Sequence, residues 1–254
     1  MKVSIVTAIL NSHEAARRQV LHYNKLNLPE DVEVIWVDDG SEPELNFDNM
    51  EKNFRFLLFH THDKRPWTQP AARNRGAKEA IGEFLILTDI DHIIPIELIN
   101  FARDCAYDVV RFNREVAALD EDGNFIQTMA EMKRYGYIKN GFKIAPHGNS
   151  YIFNRELYIS LGGVDTTYVG TGKYPNREEI PLKRKLKLLE EKGHVKILQD
   201  SSKPMIYMFP NGHYCGDKDA NPFGLFHNLT RSIRESRKRQ KQYAGSVNHN
   251  SGKE

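Results

Sequence analysis

The sequence predicts an α/β fold with a mostly parallel central sheet, helices on both faces and a basic helix at the C-terminus. Three observations carry that expectation. Four short runs rich in Val, Ile, Leu and Phe are interspersed with segments of helical periodicity, the pattern of a parallel sheet covered on both sides. Two of those runs end in acidic clusters. Residues 231–241, RSIRESRKRQK, carry six basic side chains against one acid.

Taken in order, Val3–Ile9 reads as a buried strand. Asn11 or Ser12 can cap a helix with Ala15, Val20, Leu21 and Leu26 on one rough face, and Pro29 stops it. Val32–Val37 is a second strand, ending at Asp38-Asp39-Gly40-Ser41. Phe54–Phe59 is a third. Ala71–Ile81 is helical up to Gly82. Phe84–Thr88 is a fourth strand, followed by Asp89-Ile90-Asp91, and Pro95–Ala106 is a helix. The second half is less regular. Val109–Phe112 and Tyr151–Phe153 read as strands, and the Asp-Gly signal within 119–125 predicts a hairpin. Arg155–Leu161 is a short helix, Glu179–Lys192 a longer one closed by Gly193, Val195–Leu198 a late strand, and Phe223–Lys241 the final basic helix.

With 254 residues, the chain suits one large domain with a tail. The expected division is a domain over 1–230, in halves 1–107 and 108–230, followed by a basic helix end and disordered tail over 231–254. The formal net charge of +2, from 36 basic and 34 acidic residues, argues against a chain built only to coat nucleic acid. No apolar run approaches the ~18 residues of a spanning helix, and the N-terminus turns polar too soon for a signal peptide. Cys105 and Cys215 match no zinc spacing and are expected as reduced thiols in a cytoplasmic protein.

Ligands of such sheets bind beyond the carboxyl ends of the strands, where Asp38, Asp39, Asp89 and Asp91 fall. Asp89 and Asp91 are spaced i, i+2, so in extended backbone both face one side and reach one hard cation. A solvated turn after a strand is the plain alternative. Asp38-Asp39 reads either as a turn or cap, or as an acceptor for a ribose or a uracil N–H. Arg73 and Arg75 near a helix start favour anions.

Together these pieces resemble the family 2 glycosyltransferases of the GT-A (nucleotide-diphospho-sugar transferase) fold. The matching segments are Val3-Ser-Ile-Val-Thr7, Val37-Asp-Asp-Gly-Ser41, Pro70-Ala-Ala-Arg-Asn-Arg-Gly76 with Ala80, and Gly82-Glu-Phe-Leu-Ile-Leu-Thr-Asp-Ile-Asp91. Gly162-Gly-Val-Asp165 and Arg177-Glu-Glu-Ile-Pro-Leu-Lys-Arg184 follow, so the resemblance covers roughly 1–200. It implies a nucleotide-sugar donor, uridine being the commoner nucleoside, a divalent Mn²⁺ or Mg²⁺, and inversion at the sugar carbon. Residues 1–107 would be the nucleotide-sugar-binding half and 108–230 the acceptor and catalytic half. Thr7, Asp38, Asp39, Arg73, Asn74 and Asp89 would contact the donor, and Asp89 and Asp91 the metal. The family's late Glu-Asp pair is here Glu178-Glu179. The resemblance carries the general base to Glu179, with Glu178 as alternative, since either carboxylate can accept a hydroxyl proton. A family metal-binding His corresponds to His213, with His227 second, and His147 and Trp67 are candidates for the acceptor site.

Two other readings remain at this point. A haloacid-dehalogenase-like phosphatase also uses Asp-x-Asp, though after its first strand rather than its fourth. A nucleic-acid-binding module could use the basic helix. Under the enzyme reading that helix would serve an acceptor such as a glycan, modified DNA or another polyanion.

Overall fold

The computed structural model describes residues 1–148, 150–171, 178–199, 204–210, 214–217 and 221–226. The first half follows the expected order: β1 (Val3–Ile9), α1 (His13–Leu26), β2 (Val32–Asp38), β3 (Arg55–His60), α2 (Gln69–Glu79) and β4 (Phe84–Asp89). A two-residue strand β5 (His92–Ile93) and helix α3 (Ile96–Arg103) come next. The second half comprises β6 (Val109–Arg111), β7 (Asn113–Val116), the hairpin β8 (Ala118–Leu119) and β9 (Phe125–Ile126), α4 (Met129–Arg134) and β10 (Lys143–Ile144). Then follow β11 (Tyr151–Asn154), α5 (Arg155–Ser160), α6 (Ile180–Glu191), β12 (Ile197–Leu198) and β13 (Met205–Met208).

The main sheet has the order β12-β6-β11-β4-β1-β2-β3. Strands β4, β1, β2 and β3 are parallel, while β11 runs antiparallel to both its neighbours. Alternate residues of each central strand feed opposite cores, as the pleat requires. Val3, Ile5 and Ile9 of β1, Val34 and Trp36 of β2, and Ile86 of β4 join Ala16, Val20, Tyr23, Leu98 and Ile99 from α1 and α3. Val6, Ile35, Leu85 and Leu87 join Ala77 of α2, Tyr158 of α5, and Leu182 and Leu186 of α6. Helix α2 lies close on the sheet because residue 76 is glycine. A Cβ there would come within 2.5 Å of Val6 Cγ1 and 3.1 Å of Val37 Cγ2.

A second sheet, β10-β7-β13-β5, was not foreseen; its strands have two to four residues and show no extended alternation. It adjoins the strand-end edge through β5, which directly follows Asp91. The expected final helix does not begin at Phe223. Pro222–Gly224 is a 3-10 turn in which Phe223 has φ 61°, a left-handed backbone that no α-helix starts with. The remainder of that expected helix, the basic 231–241 stretch, the tail and the 230/231 boundary lie outside the described residues. Among the described residues no helix is long and apolar enough to cross a membrane.

Candidate active site

The acidic strand ends form one edge. Thr7 is buried within β1, opposite Trp36 and Thr88 of its neighbours. Asp38 is wholly enclosed, and its carboxylate accepts from the Ser41 N–H, the Leu45 N–H (both 2.9 Å) and His60 Nδ1 (3.1 Å). Burial alone would raise its pKa, but these hydrogen bonds outweigh burial and hold it below the ordinary carboxylate range. Asp38 is thus spent on closing the 41–45 loop.

Asp39 differs. Its Oδ2 accepts from Thr68 Oγ1 at 2.9 Å, while Oδ1 is buried without a hydrogen-bond partner among the described residues. Burial pushes this carboxyl up to about 7, helped by the nearby charges of Asp63 and Asp38 and only partly opposed by Thr68. Of the two aspartates, Asp39 therefore has the open acceptor.

Helix α2 supplies the next layer. Arg73 is 1% exposed, and its Nη2 donates to Asp89 Oδ1 at 2.5 Å. Its Nε and Nη1 make no hydrogen bond among the described residues. Gln69 Nε2 also donates to Asp89 Oδ1, at 3.1 Å. Asn74 turns away from Asp89 in its bonding. Its amide donates to the Val164 carbonyl (2.9 Å) and its oxygen accepts from Tyr158 Oη (2.7 Å) and the Val164 N–H (3.1 Å). Asn74 thereby fixes the Gly162-Gly163-Val164 turn, where a Cβ on Gly163 would overlap its oxygen.

Asp89, Asp91 and His92 offer ligand atoms that all lie within 4.8 Å of one another, so the group could hold a metal ion. Asp91 keeps one-fifth of its side chain exposed. Burial opposes its ionisation, but His92, His147 and Arg114 outweigh burial and hold its pKa low. His147, expected near an acceptor, lies against this pair: Nδ1 is 3.4 Å from Asp89 Oδ2, and its ring centroid is 5.3 Å from that of His92. Burial pulls His147 down to about 4, so it is neutral at physiological pH.

The turn carrying His147 also reaches the carboxylates before α6. A Cβ at Gly148 would sit 2.7 Å from Glu179 Oε1 and 3.3 Å from Lys183 Nζ, and Tyr151 Oη donates to the Gly148 carbonyl. Glu179 Oε1 accepts from Lys183 Nζ at 3.0 Å. Glu178 is 4% exposed; burial raises its pKa while Arg73 draws it back. Trp67 is half-buried with φ 61°, a conformation bulky residues seldom adopt. His213 and His227 lie outside the described residues.

The sequence did not single out His92, Arg114, Gln69 or Gly148. His92 had a visible signal, since it follows Asp91 directly. Arg114 had none, because only the pairing of short strands brings it within reach.

A family model described as glycosyltransferase like family 2 matches residues 4–208. No curated protein matches the chain. Among solved structures, S. aureus TarS 1-349 superposes with a TM-score of 0.50 at 17% identity, over 82% of this chain and 60% of that one. The same protein in complex with UDP-GlcNAc gives 0.47 at 16% identity, over 83% and 59%. This chain thus spans about 60% of the length of the structures it matches. The first of these likenesses is one of fold.

Proposed function

The chain belongs to the glycosyltransferase-like family 2 and has the GT-A fold, and on that premise we propose that it is a glycosyltransferase that moves a sugar, with inversion, from a nucleotide-sugar to an acceptor hydroxyl. One observation carries this reading. Neighbouring residues of one turn, His147 and Gly148, touch Asp89 and Glu179 respectively, so the Asp-x-Asp pair and the carboxylates before α6 border one site.

The nucleoside end is assigned to Thr7 and Asp39, with Asp39 Oδ1 as the acceptor for a uracil or ribose donor; Asp38 shapes the loop beside it. Arg73 meets the anionic part of the donor with its two uncommitted nitrogens while steadying Asp89. Asn74 acts through the Gly162–Val164 turn. The residues fit a divalent Mn²⁺ or Mg²⁺: two adjacent carboxylates, one kept ionised and part open, are hard oxygen donors. Asp91 and Asp89 would hold it, and His213 is the proposed further ligand. When bound, such an ion offsets charge on the departing diphosphate.

Glu179 is assigned as general base, and Glu178 serves as counter-charge to Arg73. Glu179 takes the proton from the acceptor hydroxyl as that oxygen attacks the anomeric carbon and the nucleoside diphosphate leaves. Lys183 holds the Glu179 carboxylate against Gly148, whose missing side chain leaves room for that carboxylate. His147 and Trp67 are placed at the acceptor side. The phosphatase reading loses its ground with the family match, since the Asp pair follows the fourth strand.

The test is a thermal-shift panel of nucleotide-sugars with and without Mn²⁺, followed by transfer assays. Stabilisation by a UDP-sugar that depends on Mn²⁺ is expected. Glu179→Gln should lower kcat about 10²–10⁴-fold without loss of donor binding. Full turnover by Glu179→Gln would reject that residue as base, and full turnover by Asp91→Asn would reject the metal reading.

A further inference from the structure

We propose that Arg114 is a positioning residue that fixes His92 as a support for Asp91, so that His92 is no ligand itself. The consequence for metal affinity rests on the metal reading above, while the geometry stands independently.

Arg114 sits on β7 with 6% exposure. Its Nη1 approaches His92 Nε2 at 3.1 Å. A guanidinium only donates, so Nε2 must present its lone pair, and the neutral ring then carries its proton on Nδ1. That nitrogen lies 2.9 Å from Asp91 Oδ1. One imidazole nitrogen is engaged by Arg114 and the other holds a proton. A cation needs a bare nitrogen, so His92 has none to give despite its nearness to both aspartates.

The same guanidinium serves the other aspartate. Its Nε and Nη2 donate to the Ala145 carbonyl at 2.8 and 2.5 Å, two residues before His147, which lies against Asp89. Met208 Sδ at 3.0 Å and Tyr214 Oη at 3.4 Å complete its surroundings. Arg114 thus backs both members of the acidic pair. Partners of this kind behind metal-binding groups typically tune affinity by about 10–100-fold.

Two measurements test this. In ¹⁵N-histidine NMR of the whole metal-free protein, His92 should show the Nδ1–H tautomer. In Mn²⁺ titrations followed by EPR with UDP present, Arg114→Lys should weaken binding about 10–100-fold, and His92→Asn, which keeps an NH₂ toward Asp91, should retain more affinity than His92→Ala. An Nε2–H tautomer overturns the proposal, as does unchanged Mn²⁺ affinity in Arg114→Lys. A ¹⁴N coupling to bound Mn²⁺ that vanishes in His92→Asn also overturns it, because His92 is then a ligand. If the wild-type protein binds no Mn²⁺, the metal reading falls and the tautomer alone decides this one. The tautomer is read on unsubstituted protein, so a misfolded variant does not blunt the test.

Discussion

Asp39 gives the sharpest physical prediction. Its carboxyl is raised from an ordinary 3.8 to about 7 by burial, so the folded state holds this proton more tightly than the unfolded chain. The stability tied to that proton is complete at low pH and is lost as pH rises through about 7. Between pH 5 and pH 8.5 the linkage relation gives a loss of about 2–3 kcal/mol for such a shift. Asp39→Asn keeps the size and can still accept from Thr68, but it cannot ionise. Urea unfolding of both proteins at pH 5, 6, 7 and 8.5 isolates the effect, because every other titrating group is common to the two. The variant should gain about 2–3 kcal/mol on the wild type across that span, with most of the change between about pH 5 and pH 7 and little above it. Parallel stability curves would falsify the reasoning, for they would mean that Asp39 ionises inside the protein as readily as outside.

Two further outcomes follow from close contacts. Gly76→Ala should destabilise by about 1–3 kcal/mol, because its Cβ meets Val6 at 2.5 Å and must push α2 off the sheet; denaturant melts check this, and a neutral result would show that the helix can shift freely. Glu33 is fully buried and accepts from Ser4 Oγ at 2.6 Å, the Ile81 N–H at 2.9 Å and Arg55 Nε at 3.1 Å. Glu33→Ala should cost about 1–3 kcal/mol for the donors left behind, without any change in Mn²⁺ affinity, since it lies at the far end of β2 from Asp38.

The parallel core was legible because strands covered on both faces become apolar runs, and Val3–Ile9 needed no correction. Helix α2 was displaced by two residues, since Pro70 can occupy the first turn rather than precede it. The acidic edge was legible for the same reason that strand ends are, and Asp38, Asp39, Asp89 and Asp91 do share it. What each carboxylate does was not legible. Asp38 and Asp39 are neighbours in sequence, yet one is saturated with donors and the other keeps an orphaned oxygen. Asn74 likewise could not be read, because Tyr158 and Val164, its partners, are 84 and 90 positions away. The β5–β13–β7–β10 sheet was missed because strands of two to four residues leave no periodic trace, and with it went Arg114.

The reversal of β11 has a geometric consequence. Were this strand parallel to β4, the turn before it would emerge at the opposite rim, beside Lys2 and Phe84. Because Tyr151 instead stands against Leu87 and Asn154 against Phe84, the chain arrives at β11 from the rim where Asp89 ends. One inverted strand thus lends an additional loop to a rim that crossover connections alone would furnish, and that loop reaches from Asp89 to Glu179.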